Sequence, residues 1–206
     1  MLRANRDVAI AILAKAPTPG LAKTRLIPAL GAERAAKLQE RFIIGAVETA
    51  RRVGTVTLWM APDNSHPIFR QFAPDIRLAC QPPGDLGTRM NTAAAAARGP
   101  VLVIGTDCPA LNADHLLTAA ELLRDGIDVV VYPADDGGYV LIGMNEAEPR
   151  LFSDLAWSTP TVMAETRRRL ARFSMSWREP VRLWDVDRPE DLDRMRAENF
   201  SALLGP

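Results

Sequence analysis

Six stretches of this 206-residue sequence hold residue types and spacings that could do chemistry. The first is Lys15 to Leu26, K-A-P-T-P-G-L-A-K-T-R-L. It sets three cations, Lys15, Lys23 and Arg25, close to backbone loosened by Gly20. Cations with free backbone N–H groups suit a diphosphate or triphosphate, which an arginine can grip in a bidentate way. No glycine stands directly before Lys23, so this is not a Walker loop. It is not G-x-G-x-x-G either, which weighs against a dinucleotide dehydrogenase. The competing reading is a solvated loop with incidental lysines.

The second stretch is Q-P-P-G-D-L-G-T-R-M, Gln81 to Met90. Gly84, Asp85 and Arg89 stand at the start of a helical pattern, where an anion or a base edge can be held. A turn with Asp85 or Thr88 as a helix cap explains the same residues. The third stretch, Val101 to Pro109, ends an apolar strand in Thr106-Asp107. A carboxylate there is costly to desolvate and adds little to stability. It is well placed to hold Mg²⁺ or Mn²⁺, which take carboxylates, waters and phosphate oxygens. The alternative is a local turn capped by Asp107 before Pro109.

The fourth stretch is P-A-D-D-G-G-Y, Pro133 to Tyr139. Gly137 and Gly138 let backbone approach a ligand closely. Asp135 or Asp136 can bind substrate hydroxyls or act as a base. A plain hairpin turn accounts for D-G-G equally well. The fifth stretch is W-S-T-P, in which Trp157 can cover a substrate pocket and Ser158 or Thr159 can cap a helix. The sixth, Trp184 to Leu192, carries Asp185 and Asp187 two apart, on one face of extended chain. One of the two can complete a metal site with Asp107, and the competing reading is that Asp187 or a neighbour caps the helix that Pro189 opens. On this reading Asp107→Asn removes a repelling charge and leaves the melting temperature unchanged or higher.

The elements that must position these stretches follow from the apolar pattern. Val8 to Ala14, Val101 to Gly105 and Asp128 to Pro133 are unbroken apolar runs, as expected of strands buried on both faces and central in a sheet. Further strands are expected at Val56–Met60, Ile76–Cys80, Gly138–Met144 and Val181–Val186. Helices are expected over Ala32–Arg52, Asn91–Arg98, from an Asn112 cap to Arg124, from Pro160 to about Arg172, and from Pro189. This alternation predicts one α/β domain over residues 1–206, a three-layer α/β/α sandwich with a mainly parallel sheet. Ligands then bind at the carboxyl ends of the strands, where the six stretches fall.

The bulk numbers exclude several classes. Lys plus Arg and Asp plus Glu each number 25, so the formal net charge is zero and nucleic acid is not an expected partner. Cys80 and Cys108 form no C-x-x-C, and His66 and His115 form no H-E-x-x-H, so no disulfide framework or zinc site follows. Cys108 lacks a supported base and sits beside an acid, so it is not read as a nucleophile. Asp7 interrupts any signal-peptide pattern, and no apolar run approaches a membrane span, so a cytoplasmic location is expected.

Taken together, six ordered segments resemble a known family. They are K-A-P-T-P-G-L-A-K-T-R-L, G-D-L-G-T-R-M, I-G-T-D-C-P-A-L, D-D-G-G-Y-V-L-I-G, W-S-T and D-V-D-R-P-E-D-L. The family is a glycosyltransferase-A-like bacterial domain of unknown function whose members are often given the name nucleotide-diphospho-sugar transferase. The A-K-T-R-L segment and the helix after it also resemble phospholactate guanylyltransferase. The resemblance implies a nucleotide-binding sandwich with Asp107 at the metal-binding aspartate's place and a later aspartate, Asp187, as partner. The expected function is metal-dependent transfer from a nucleotide-sugar to a small-molecule acceptor. Nucleotidyl transfer from a nucleoside triphosphate, and a non-catalytic nucleotide-binding module, are the alternatives.

Overall fold

The computed structural model describes residues Val8 to Gly205. Residues 1–7, Asp7 among them, and residue 206 belong to the single domain expected from the sequence but lie outside the described residues.

Seven strands form one sheet in the order β3-β2-β1-β4-β6-β5-β7. They are β1 (Ala9–Lys15), β2 (Thr55–Ala61), β3 (Arg77–Cys80), β4 (Val101–Ile104), β5 (Val129–Pro133), β6 (Tyr139–Met144) and β7 (Trp177–Arg178). Successive side chains of a strand face opposite ways, so each apolar run feeds two cores. Ile10, Ile12 and Ala14 of β1, Leu102 and Ile104 of β4, and Val130 and Tyr132 of β5 enter one core. It is closed by α2 (Ala32–Arg51) and α5 (Ala113–Arg124). Ala11, Val101, Val103, Val129 and Val131 enter the other core. It is closed by α4 (Leu86–Ala95) and α6 (Val162–Arg172). The three-layer sandwich is therefore present. The short helices α1 (Ile27–Leu30) and α3 (Pro67–Arg70) and the C-terminal α7 (Pro189–Ala197) complete the helices. No helix among the described residues is long and apolar enough to cross a membrane.

Four details depart from the sequence reading. First, β6 runs antiparallel between β4 and β5, so the Asp128 strand sits one place further from the centre, though still wholly buried. The tight D-D-G-G turn folds β6 straight back along β5, and β6 thereby takes the slot beside β4. Second, Val181–Val186 is not a strand. Pro180 lacks the N–H that a ladder needs, and the segment keeps only a bridge from Leu183 to Ala134 and a bond from Val186 N to Asp107 O of 2.8 Å. The edge strand is instead β7, anchored by Ser176, whose N and Oγ both donate to the Asp128 carboxylate at 2.7 Å.

Third, the helix expected from Asn91 begins at Leu86, because Asp85 caps it: Oδ1 accepts from Thr88 N at 2.8 Å. Fourth, neither Ser158 nor Thr159 caps α6. Ser158 lies in the left-handed region, and Thr159 Oγ1 donates back to Ala156 O at 2.7 Å. The Asn112 cap of α5 is as expected, with Oδ1 accepting from His115 N at 3.1 Å.

Gly45 stands inside α2 with no heavy atom within 4 Å of a built Cβ. Gly45→Ala should therefore raise stability by about 0.5–1 kcal/mol, the cost of a glycine in mid-helix. The urea midpoint should move up with the slope unchanged. A lower midpoint would mean that the space beside Gly45 is needed.

Candidate functional site

The carboxyl ends of β1 and β4, the β5–β6 turn and the D-V-D segment surround one cavity of about 570 Å³. The register explains the convergence. β1 and β4 pair in parallel, Ile12 against Ile104, so Lys15 and Asp107 leave the same edge. β6 is antiparallel, so its first residue, Tyr139, stands at that edge too. The D-V-D segment is tied there by Val186 N donating to Asp107 O.

Four carboxylates line this cavity: Asp107, Asp136, Asp185 and Asp187. Three cations, Lys15 at the end of β1 and Lys23 and Arg25 in the loop after it, line the same cavity. Lys23 Nζ lies 2.8 Å from Asp107 Oδ2 and donates to Val186 O at 2.6 Å. It also lies 5.3 Å from the Phe42 ring centroid, and its side chain is only 5% exposed. Arg25 pairs with Asp187 at the surface, its side chain 62% exposed. The two aspartates expected to share a metal are thus each paired with a cation expected to hold phosphate. Asp187 lines the cavity and does not cap α7; at that helix start the backbone N–H groups of Asp187 and Arg188 both donate to the Asp191 carboxylate, at 2.9 and 2.7 Å.

The D-D pair divides its roles. Asp135 turns outward to Arg194 at 2.7 Å, whereas Asp136 lines the cavity with Oδ1 accepting from Gly138 N at 2.8 Å. The other wall is apolar and aromatic, with Leu86, Met90, Tyr139 and Trp157, the last two edge to face at 6.3 Å. Gly138, Ser158 and Thr159 also line it.

Gly20, Gly84, Asp85, Arg89 and Gly137 lie off the cavity. Gly20 and Gly84 take positive φ in their turns, and Gly137 packs against Pro160. Asp85 is engaged as the α4 cap, and the Thr88 bonds hold its carboxyl below the ordinary carboxylate range. Gln39, which the sequence reading passed over, lines the cavity from α2. Its signal was a lone amide among Ala35, Leu38 and Phe42 on a core-facing stripe.

Burial first, and then repulsion from Asp136, push Asp185 up to about 6; Asp107 and Asp187 add to this. Between an unfolded value near 3.8 and this raised value, the folded chain keeps a proton that the unfolded chain has released. Stability therefore falls as pH rises through that window. Asp185→Asn should abolish this part of the slope and gain about 1 kcal/mol at pH 7, less than the full shift implies because water still screens the carboxylate. Urea unfolding at pH 4, 5, 6 and 7, without divalent ions, checks it; parallel curves for variant and parent would contradict it. Cys108, by contrast, is pushed up to about 12 mainly by burial, in keeping with an inert thiol.

Among the described residues no group of three or more His, Cys, Asp or Glu side chains is arranged to hold a metal unaided. The available donors are carboxylate oxygens, which suit Mg²⁺ or Mn²⁺ bound through one or two carboxylates and completed by substrate phosphates.

A family profile described as "uncharacterized protein conserved in bacteria (DUF2064)" matches residues 46–159, more than half of the chain. No curated protein matches. Among solved structures, the "putative nucleotide-diphospho-sugar transferase" from Desulfovibrio desulfuricans G20 is similar at TM-score 0.85 and 25% identity, over 97% of both chains. The 4-diphosphocytidyl-2C-methyl-D-erythritol synthase from Anaerococcus prevotii DSM 20548 shares the fold at TM-score 0.59 and 14% identity, over 95% of this chain and 96% of that one. CMP:2-keto-3-deoxy-manno-octonic acid synthetase, complexed with CTP, shares it at TM-score 0.56 and 14% identity, over 95% and 99%.

Proposed function

The chain belongs to the bacterial DUF2064 family, and from that premise we propose that it is a transferase that takes its donor from a nucleotide-sugar, with Mg²⁺ or Mn²⁺ as cofactor and a small molecule as acceptor. The observation that carries this is the charge array of the cavity. Three cations face four carboxylates, a balance of 3 − 4 = −1. A diphosphate entering such a site needs further positive charge, and Asp107 and Asp187 are the groups to hold it. A divalent cation there would neutralise the diphosphate leaving group.

The chain's own residues do the rest. Lys15 and Arg25 receive the phosphates from the β1 loop. Tyr139 and Trp157 give the acceptor an apolar wall, and Ser158 and Thr159 offer it hydroxyls. Asp136 keeps Oδ1 on Gly138 N, so Oδ2 is the atom to accept a proton from the attacking hydroxyl. Lys23 is buried against Asp107, whereas Arg25 meets Asp187 at the surface and can turn to a phosphate; Lys15 and Arg25 are then the two cations for the donor, which supports a diphosphate over a triphosphate. Nucleotidyl transfer is the second reading. It is favoured by the third cation, if Lys23 exchanges Asp107 for a phosphate.

The test is product analysis with Mn²⁺, sugar acceptors and sugar phosphates. Release of nucleoside diphosphate from a nucleotide-sugar supports the first reading. Release of pyrophosphate from a triphosphate supports the second, and neither product would refute both. Arg25→Ala should weaken nucleotide binding by about 1.5–3 kcal/mol, the worth of a hydrogen bond to a charged group. It should barely change stability, since its exposed pair with Asp187 contributes little. Calorimetry showing unchanged affinity would remove Arg25 from the site.

A further inference from the structure

Gln39 is a buried amide on α2, 4% exposed, among residues chosen for packing. Its Nε2 donates to Lys15 O at 3.3 Å, at the end of β1, and to Thr106 Oγ1 at 3.1 Å, at the end of β4. A backbone carbonyl only accepts, so the group facing Lys15 O must be the NH₂ and not the amide oxygen. That settles the direction of the next bond. Thr106, itself only 6% exposed, receives a hydrogen from Gln39, and its own hydroxyl hydrogen is left for Asp107 Oδ1 at 2.9 Å. The second oxygen of Asp107 is held by Lys23. Lys23 reaches it from a left-handed backbone conformation, φ 48° and ψ 44°, which costs a non-glycine residue energy and persists only where surrounding contacts impose it.

From this chain of donors we propose that Gln39 is a positioning residue. It fixes the rotor of the Thr106 hydroxyl, and with it the plane in which Asp107 presents its carboxylate to the cavity. The proposal rests on the reading of Asp107 as part of the nucleotide site. Gln39 has no place in the chemistry itself. Leucine at position 39 keeps the volume and loses both bonds. Glutamate there sets an oxygen against Lys15 O and takes the Thr106 hydrogen for itself, so Asp107 Oδ1 loses its donor.

The test has two arms. In the first, the full chain is titrated calorimetrically, with Mn²⁺ present, against a pool of the four common ribonucleoside triphosphates and their diphospho-sugars. Gln39→Leu and Thr106→Val should each weaken binding roughly tenfold or more, the worth of a hydrogen bond to a charged group. The double variant should lose no more than the worse single one, because both break one relay. Thr106→Ser keeps the hydroxyl and should bind like the parent. Losses that multiply, or a Gln39→Leu that binds normally, would overturn the proposal. If Gln39→Leu does not fold, Gln39→Glu takes its place in the titration, where binding equal to the parent would overturn the proposal.

In the second arm, ligand-free crystal structures of Gln39→Leu and Gln39→Glu should show the Asp107 carboxylate turned from its position in the parent. An unmoved carboxylate would overturn the proposal whatever binds. A parent that binds nothing from the pool would instead refute the nucleotide reading, and the crystal arm would still decide the role of Gln39.

Discussion

Asp107→Asn is expected to abolish metal-dependent nucleotide binding and also to destabilise the ligand-free protein by about 1–3 kcal/mol. The first effect follows from losing the charge that would hold a cation beside the phosphates. The second reverses the expectation formed from sequence, that removing one of several like charges would leave stability unchanged or raise it. The Lys23 ammonium is the reason. It is 5% exposed, and among the described residues Asp107 is its only anionic partner. Removing one member of a buried pair leaves an uncompensated charge, which is strongly unfavourable. The cost stays below the fully buried limit because the Asp107 side chain is 44% exposed. Lys23→Met combined with Asp107→Asn should recover most of the lost stability, since neither charge is then stranded. Urea unfolding of the four proteins checks this. Independent, additive losses would show that the pair is not coupled.

Gly137→Ala should cost more than about 3 kcal/mol, or fail to fold. Gly137 has φ +90°, and a Cβ there would lie 2.2 Å from Pro160 O and 2.7 Å from two further Pro160 backbone atoms. No side-chain rotation relieves a clash with backbone, and the positive φ adds strain of its own. The same glycine accepts at its carbonyl from Met163 N at 2.8 Å, so the turn that carries Asp136 also seats the start of α6 and the Trp157 wall. Gly138→Ala is the control. The atoms nearest its Cβ belong to the Asp136 carboxylate, the closest at 3.2 Å, and its φ is not in the left-handed region. Equal unfolding midpoints for the two variants would mean that the turn and the wall are not locked together.

The contrast between Asp136 and Lys23 shows what was legible in the sequence. Local rules reached far. The apolar run of β1, the Asn112 cap and the Pro189 helix start are each decided within a few residues. The stretches after β1 and β4 meet because parallel strands end at one edge, whereas D-D-G-G reaches that edge through an antiparallel strand and D-V-D through its bond to Asp107. The rest depends on contacts far apart in the chain. The position of β6 beside β4 is a competition between strands that no local pattern records. The partner of Lys23 is set by a backbone bond from Val186 to Asp107, 79 residues away by number (186 − 107 = 79). Gln39 is a lone amide in a helical stripe, and no local pattern shows that β1 and β4 bring Lys15 O and Thr106 to it. Asp85 and Asp187 show the converse. Both were candidates for capping and for binding, and the geometry assigns the cap to Asp85 and leaves Asp187 facing the cavity.

The most direct test of the central claim is the melting temperature of the parent protein with nucleoside triphosphates and nucleotide-sugars, each with and without Mn²⁺. A ligand that binds only the folded state stabilises it in proportion to the logarithm of one plus the ratio of its concentration to its dissociation constant, about 2.7 kcal/mol at a hundredfold excess. The cavity's excess of negative charge predicts a clear rise with at least one nucleotide when Mn²⁺ is present, and little or none with the same nucleotide alone. No rise with any nucleotide in the presence of Mn²⁺ would contradict the account.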